Sequence, residues 1–171
     1  ISNVEELKEL LQANNTPVKP VLVAWPTRSE PSEFSGVPGE YSPYAVHIDE
    51  IPNEIPAIRE RRAGIQDEGS QILSIVFANA AAEKRIWLDL CAGPGGKASL
   101  LSYLAPANFI ANEISETRAN LVRQVVKEGT SVLVNDGRDI QISADAILAD
   151  VPCTGLGALR RRPEIRWRRT P

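Results

Sequence analysis

Gly93, Gly95 and Gly96 follow a short apolar run at residues 86–90, and this segment is the part of the sequence best suited to chemistry. A strand-like run that breaks into a glycine-rich turn before a helical pattern is typical of a loop that binds a cofactor. Glycine suits such a loop because it has no Cβ and lets ligand and backbone come close. The helix predicted from Lys97 would present unpaired N–H groups to the ligand.

The residues of this loop fit two phosphate-containing cofactors unequally. A Walker A loop needs glycine six positions before its lysine and a hydroxyl residue after it, but Cys91 and Ala98 occupy those places around Lys97. The dinucleotide fingerprint fits better, because Gly93 begins a G-x-G-x-x-A spacing and Glu113 lies near the position of a ribose contact. That spacing alone does not decide the cofactor.

Four acids follow four successive apolar runs: Asp89, Glu113, Asp136 and Asp150. Such a series suits a cofactor with ribose hydroxyls, an exocyclic amine and an α-ammonium group, and without a phosphate that the acids would repel. The sequence therefore favours S-adenosylmethionine. Some of these acids could instead cap helices or turns, and Asp136 before Gly137 is also a good turn residue.

Strand and helix patterns alternate from residue 86 onward, which predicts an α/β fold with a mostly parallel sheet and the cofactor at the carboxyl ends of its strands. The predicted strands are 86–90, 109–112, 132–135 and 146–150, and the predicted helices are 97–104 and 116–128, the second closing at Gly129.

Residues 1–65 are predicted to form a small α+β N-terminal subdomain of RNA-binding type, and residues 66–171 the first part of the cofactor domain. In residues 1–65 we expect helices at 4–11 and 53–62 and strands at 21–25 and 44–48. A helix through 72–77 is expected to lead into the cofactor domain. His47, the single histidine, lies in a strand pattern with no second base nearby, so we interpret it as structural.

Charge is concentrated at the end of the chain. The net charge is −3, but residues 155–171 carry +5 and the remainder −8. This basic block, with Trp167 available for stacking, predicts RNA binding, and a solvated loop is the alternative. The predicted RNA-binding residues are Arg160, Arg161, Arg162, Arg166, Trp167 and Arg168.

No apolar run is long enough to span a bilayer, and no signal-peptide pattern opens the chain, so we expect a cytoplasmic, monomeric protein. Cys91 and Cys153 lack metal-ligand spacing, which predicts neither a zinc site nor a disulfide framework.

Cys153 follows Pro152 in a small-residue loop after Asp150. A thiolate there could add to carbon 6 of a pyrimidine and make carbon 5 nucleophilic toward a sulfonium methyl, and a buried inert thiol is the alternative.

Three segments together resemble the Sun-type RNA cytosine-5 methyltransferases, in particular the bacterial branch that acts on 16S ribosomal RNA: LDLCAGPGGK at 88–97, DVPCTGLG at 150–157 and RRRPEIRWR at 160–168. The segment QDEGSQ at 66–71 is also similar to theirs. The resemblance implies a Rossmann-like S-adenosylmethionine-dependent methyltransferase core, with Glu113 at the ribose, Asp136 near the adenine and Asp150 toward the methionine end and the target base. Glu113 departs from the family's more usual aspartate.

The cofactor residues that this resemblance implies are Cys91, Ala92, Gly93, Pro94, Gly95, Gly96, Lys97, Glu113, Arg118, Asp136, Gly137 and Asp150. The resemblance also gives Cys153 the role of assisting release of the covalent RNA adduct. The family's attacking cysteine follows a threonine on a later strand, and neither cysteine of this chain has that context. The chain is therefore expected to be inactive alone. A non-catalytic RNA-binding fragment or degenerate relative and a nicotinamide-dependent oxidoreductase are the alternative functions.

Overall fold

The computed structural model describes residues 3–16, 18–105, 108–153, 155 and 167. They divide into two compact units, residues 20–151 and a second unit that groups 1–19 with 152–171. Helix α1 (Val4–Asn15) belongs to the second unit and begins where the Asn3 side chain accepts the N–H of Glu6 at 2.8 Å. The predicted helix at 4–11 is confirmed and continues to Asn15.

The first half of the larger unit is a four-stranded antiparallel sheet with the order β2-β3-β1-β4. Its strands are β1 (Val21–Ala24), β2 (Val37–Pro38), β3 (Ala45–His47) and β4 (Ala63–Ile65). The predicted strands at 21–25 and 44–48 are confirmed, whereas the short β2 and β4 were not predicted. The sheet core is aliphatic, with Leu22, Val46 and Ile48 almost fully buried.

The predicted helix at 53–62 is wrong in extent. A 3-10 turn at Pro52–Glu54 is followed by the one-turn helix α2 (Pro56–Arg59). Pro56 causes this break, because proline has no N–H to donate and forces the preceding Ile55 into an extended conformation.

The second half is a parallel sheet with the order β7-β6-β5-β8, in which every neighbouring pair is parallel. Its elements are α3 (Glu68–Ala80), β5 (Ile86–Asp89), α4 (Gly96–Leu104), β6 (Asn108–Asn112), α5 (Glu116–Val125), β7 (Ser131–Leu133) and β8 (Ala146–Leu148). The chain runs outward from β5 through β6 to β7 and then returns to the other side of β5. The predicted α/β, Rossmann-like fold is confirmed, and this strand order opens a crevice at the carboxyl ends of the strands.

Several predicted boundaries need correction. Helix α5 ends at Val125 rather than 128, because Val126 is extended and the buried Ser102 hydroxyl accepts the N–H of Lys127 at 2.9 Å. Strands β7 and β8 end at Leu133 and Leu148, so the acids that follow them lie in loops. Gly129 has a positive φ of 84° in the turn beyond α5.

Aromatic side chains pack helices against both sheets of the larger unit. The Trp87 ring on β5 donates its N–H to the Ala81 carbonyl at 3.0 Å and meets Phe77 of α3 edge-on. Trp25, directly after β1, stacks on Tyr103 of α4 with ring centroids 5.8 Å apart. The antiparallel sheet and α4 therefore share one core, and the predicted boundary between 65 and 66 stays a prediction.

His47 lies on β3 with its Nε2 3.2 Å from the Glu68 carboxylate at the start of α3. Glu68 also accepts the N–H groups of Tyr41 and Ser42. Among the described residues, no helix is long and apolar enough to cross a membrane.

Candidate cofactor site

The glycine-rich loop connects β5 to α4 at the carboxyl edge of the parallel sheet. Its turn is closed by the N–H of Gly95, which donates to the Ala92 carbonyl at 2.8 Å. Gly95 has a φ of +116°, and a Cβ there would lie 2.6 Å from a methyl group of Val125. Glycine is required at this position for its backbone conformation and for the close packing of the loop on α5. The Gly93–Pro94 peptide bond is cis.

Gly93 is held from both sides by side chains beyond β6. Its N–H donates to Glu113 Oε2 at 3.0 Å, and its carbonyl accepts from the Arg118 guanidinium. Any Cβ on Gly93 would overlap the Glu113 carboxylate. The other Glu113 oxygen accepts the N–H of Ser115 at 3.0 Å. Glu113, whose side chain is only 3% exposed and whose Oε2 also lies 3.5 Å from the Arg118 guanidinium, therefore supports the loop directly. A carboxylate has about four lone-pair positions, so some acceptor capacity remains for a ligand.

Asp89 ends β5 beneath the same loop and is almost fully buried. Its Oδ1 accepts the N–H of Cys91 at 3.3 Å. Burial raises the pKa of Asp89 to about 7, with the nearby carboxylates of Asp150 and Glu113 adding to the effect. Burial likewise raises the pKa of the Cys91 thiol, together with the negative charge of Asp89. This thiol is therefore a poor nucleophile at neutral pH.

Lys97 and Asp150 connect the start of α4 with the segment after β8. Lys97 Nζ lies 2.6 Å from Asp150 Oδ2, and the two side chains are 21% and 52% exposed. Asp150 is therefore an acid that a ligand in the crevice can reach, and its charge is partly balanced by an amine.

Asp136 lies in a turn three residues beyond β7. Its carboxylate accepts from the backbone N–H and the guanidinium of Arg138. The Arg138 guanidinium and N–H lower the pKa of Asp136 to about 2, so this group is a carboxylate at all physiological pH values. Gly137 packs on Leu90 so closely that a Cβ would lie 3.1 Å from Leu90 Cγ.

The structure brings together the predicted loop residues 91–97 with Glu113, Arg118, Asp136, Gly137 and Asp150 at one edge of the sheet. Ala92 is buried and Pro94 and Gly96 are exposed. Sequence reasoning missed Asn112 and Arg138, which contact these residues. The signal for Asn112 was available, because an amide that closes an apolar strand at the ligand edge needs hydrogen-bond partners.

Cys153 and Trp167, two of the predicted catalytic and RNA-binding residues, belong to the second unit. Cys153 is exposed, and its Sγ accepts the N–H of Gly155 at 3.4 Å. Trp167 is 88% exposed. The five predicted RNA-binding arginines, at 160–162, 166 and 168, lie outside the described residues. Within the described ranges, no cluster of three or more His, Cys, Asp or Glu side chains is placed to hold a metal ion.

A family model described as 16S rRNA methyltransferase RsmB/F matches residues 76–171. The chain is 46% identical over 145 residues to a putative methyltransferase of Mycobacterium tuberculosis strain H37Rv, covering 80% of this chain and 32% of that protein. It is 31% identical over 151 residues to ribosomal RNA small subunit methyltransferase B of Proteus mirabilis, covering 82% of this chain and 35% of that protein. The chain spans about a third of the length of these curated relatives.

Solved structures give the same fold. The structure of NSun6 from Pyrococcus horikoshii with SFG superposes with a TM-score of 0.69 at 15% identity, covering 89% of this chain and 68% of that chain. A methyltransferase homologue from Pyrococcus horikoshii superposes with a TM-score of 0.67 at 18% identity, covering 88% and 55%.

Proposed function

Because this chain belongs to the 16S rRNA methyltransferase RsmB/F family, we propose that it is the S-adenosylmethionine-binding part of an enzyme that methylates carbon 5 of a cytosine in 16S ribosomal RNA. The observation that carries the cofactor proposal is the glycine-rich loop, whose Gly93 is fixed by Glu113 and Arg118 at the edge where the other acids lie.

The charges of this site suit a cofactor without phosphate. Asp89, Glu113 and Asp150 surround the loop, and Lys97, the cation within it, is paired with Asp150. A pyrophosphate would be repelled by these carboxylates, and the two nearby cations, Arg118 and Lys97, are already paired with Glu113 and Asp150. S-adenosylmethionine instead offers a sulfonium, an α-ammonium and ribose hydroxyls, which are attracted to carboxylates or donate hydrogen bonds to them.

Each acid is proposed to meet a different part of the cofactor. Glu113 accepts from the ribose hydroxyls with its remaining lone pairs, and Asp136 lies toward the adenine. Asp150 lies toward the methionine end and the target base. The N–H groups at the start of α4, a helix of nine residues, face the methionine carboxylate.

When bound, S-adenosylmethionine supplies an electrophilic methyl group. Cys153 is proposed to assist breakdown of the covalent RNA adduct, a role that suits an exposed thiol in a loop. Cys91 follows Leu90 and Cys153 follows Pro152, so neither has the Thr-Cys context of the family's attacking nucleophile. We therefore propose that these 171 residues do not methylate RNA alone. Methyl transfer to 16S ribosomal RNA by this chain would contradict that proposal.

The RNA partner is proposed from the basic segment, with Trp167 offering an exposed ring for stacking. A cytoplasmic location and a monomeric state are proposed with it. Binding to a 16S ribosomal RNA fragment should weaken steeply with salt, and replacing Arg160, Arg161 and Arg162 by alanine should reduce the salt slope by roughly 3. An unchanged slope would remove these arginines from the interface.

Calorimetry with S-adenosylhomocysteine tests the cofactor proposal. We expect binding to the wild type and at least about tenfold weaker binding to Asp136→Ala, since a charge-assisted hydrogen bond is lost. Asp139→Ala, which removes an exposed carboxylate three residues farther along, is the matched control and should change affinity less than about threefold. Binding of NADH with no heat from S-adenosylhomocysteine would instead support an oxidoreductase.

A further inference from the structure

Asn112 is the last residue of β6, the strand that lies between β5 and β7 in the sheet. It is 1% exposed, so its polar groups have no access to bulk water. The loop after β5 and the turn after β7 therefore lie on either side of it, and the ribose acid proposed above, Glu113, follows it directly.

The Asn112 side chain joins these two neighbouring loops. Its Nδ2 donates to the Leu90 carbonyl at 3.0 Å and to the Asn135 carbonyl at 3.1 Å. Its backbone carbonyl also accepts the N–H of Ala92 at 2.8 Å. The orientation of the amide is determined by its surroundings, because two carbonyl acceptors require the NH₂ group rather than the oxygen to face them.

The two loops that Asn112 joins carry the residues of the proposed cofactor site. Leu90 leads into the glycine-rich loop, and Asn135 precedes Asp136. A second contact supports the same spacing, because Gly137 packs against the Leu90 side chain. With the amide removed, two buried carbonyls would lose their shared donor and the loops would lose their fixed separation.

We infer that Asn112 is a positioning residue that sets the distance between the glycine-rich loop and the Asp136 turn, and so determines how well the nucleoside half of the cofactor fits. The inference rests on the proposed function. In this inference Asn112 acts by setting where Asp136 lies relative to the glycine-rich loop, and not through a ligand contact of its own.

The test compares Asn112→Asp with the wild type by calorimetry with S-adenosylhomocysteine. The substitution preserves side-chain volume but places an oxygen opposite two carbonyl oxygens, so we expect at least about tenfold weaker binding. Ser102→Ala is the matched control. Ser102, near the end of α4, is also a buried residue whose side chain bonds the backbone of another segment, at Lys127, but it lies beside Ile86 and Asn108 at the amino ends of β5 and β6. It should lower thermal stability and leave affinity within about twofold.

A double-mutant cycle separates positioning from general destabilisation. In an Asp136→Ala background, Asn112→Asp should weaken binding by no more than about threefold, because the group through which it acts is already gone. The same fold-loss in both backgrounds would overturn the inference, as would wild-type affinity in Asn112→Asp. If Asn112→Asp does not fold, Asn112→Ala, which removes both donated bonds without adding charge, is used in the same cycle.

Failure of the proposed function gives a different result. If the wild type gives no heat with S-adenosylhomocysteine, the cofactor proposal fails and this inference fails with it. If the wild type binds and the Asn112 variants bind equally well, only the inference about Asn112 fails.

Discussion

Lys97 and Asp150 lie 53 residues apart in the sequence, yet Lys97 Nζ is 2.6 Å from Asp150 Oδ2. This ion pair joins the first turn of α4 to the segment after β8 at the carboxyl edge of the parallel sheet. The positive charge of Lys97 lowers the pKa of the buried Asp89, whereas the negative charge of Asp150 raises it. The pair therefore supports the geometry and the charge balance of the candidate site.

A double-mutant cycle with Lys97→Met and Asp150→Asn should give a coupling energy of about 0.5–1 kcal/mol by urea denaturation, because Asp150 is half exposed. The coupling should decrease in about 1 M salt. The fully surface pair Lys8–Glu5, with side chains 67% and 73% exposed, is the control and should give a few tenths of a kcal/mol at most. Equal coupling in the two pairs would show that the Lys97 pair has no special role.

Gly93→Ala should destabilise the protein by about 1–3 kcal/mol and weaken binding of S-adenosylhomocysteine, because the new Cβ overlaps the Glu113 carboxylate. Gly69→Ala provides the control. Gly69 is exposed in α3 with nothing within 4 Å of a built Cβ, so alanine there should stabilise by about 0.5–1 kcal/mol. Chemical denaturation and calorimetry measure the two effects. Destabilisation by both substitutions would mean that overlap with Glu113 is not the cause.

Asp89 should make stability depend on pH. Its folded pKa of about 7 lies above its unfolded value of 3.8, so the folded state holds the proton more tightly. The stabilising contribution is complete below the unfolded pKa and is lost as pH rises through about 7. Asp89→Asn keeps an acceptor for the Cys91 N–H and removes this titration. Its free energy of unfolding relative to wild type should therefore rise by about 2 kcal/mol between about pH 5.5 and about pH 8. Parallel pH profiles of the two proteins would refute the assignment.

Trp25→Ala should destabilise the larger unit by about 3–5 kcal/mol, because it removes a 2% exposed ring that packs on Tyr103 between the antiparallel sheet and α4. Trp167→Ala is the same substitution at an 88% exposed position and should change stability by no more than about 0.5 kcal/mol. Thermal unfolding followed by far-UV circular dichroism measures both. Equal effects of the two substitutions would show that the contact of Trp25 with Tyr103 does not stabilise the larger unit.

Local patterns were sufficient to predict the parallel strands and the family. The runs around Trp87 and Phe109 are apolar because both residues are buried in the sheet, and such runs are visible in a single sequence. The family resemblance rested on the motifs at 88–97 and 150–157, and the match over residues 76–171 confirms it. The four acids were predicted from the apolar runs that they follow, and their role as cofactor ligands stays a prediction.

Contacts between distant residues could not be predicted in the same way. Helix α5 ends early because Ser102 binds the N–H of Lys127, 25 positions away. Glu113 was predicted as a ligand of the ribose, and nothing in the sequence indicated that it also accepts the N–H of Gly93, 20 positions earlier. Asn112 was missed although its place at the end of an apolar strand gave a signal, and only the identity of its partners, the carbonyls of Leu90 and Asn135, depended on the fold. Arg138 was missed although its partner Asp136 is only two residues away.

Strand β8 pairs with β5 on one side and with no other described strand on its opposite side. Its middle residue, Ile147, is 54% exposed. An outer strand with an exposed apolar side chain can recruit an extended segment from a neighbouring molecule. Concentrated solutions of this polypeptide should therefore be prone to sheet-mediated aggregation. At the same concentration, a variant with a charged residue at position 147 should aggregate more slowly.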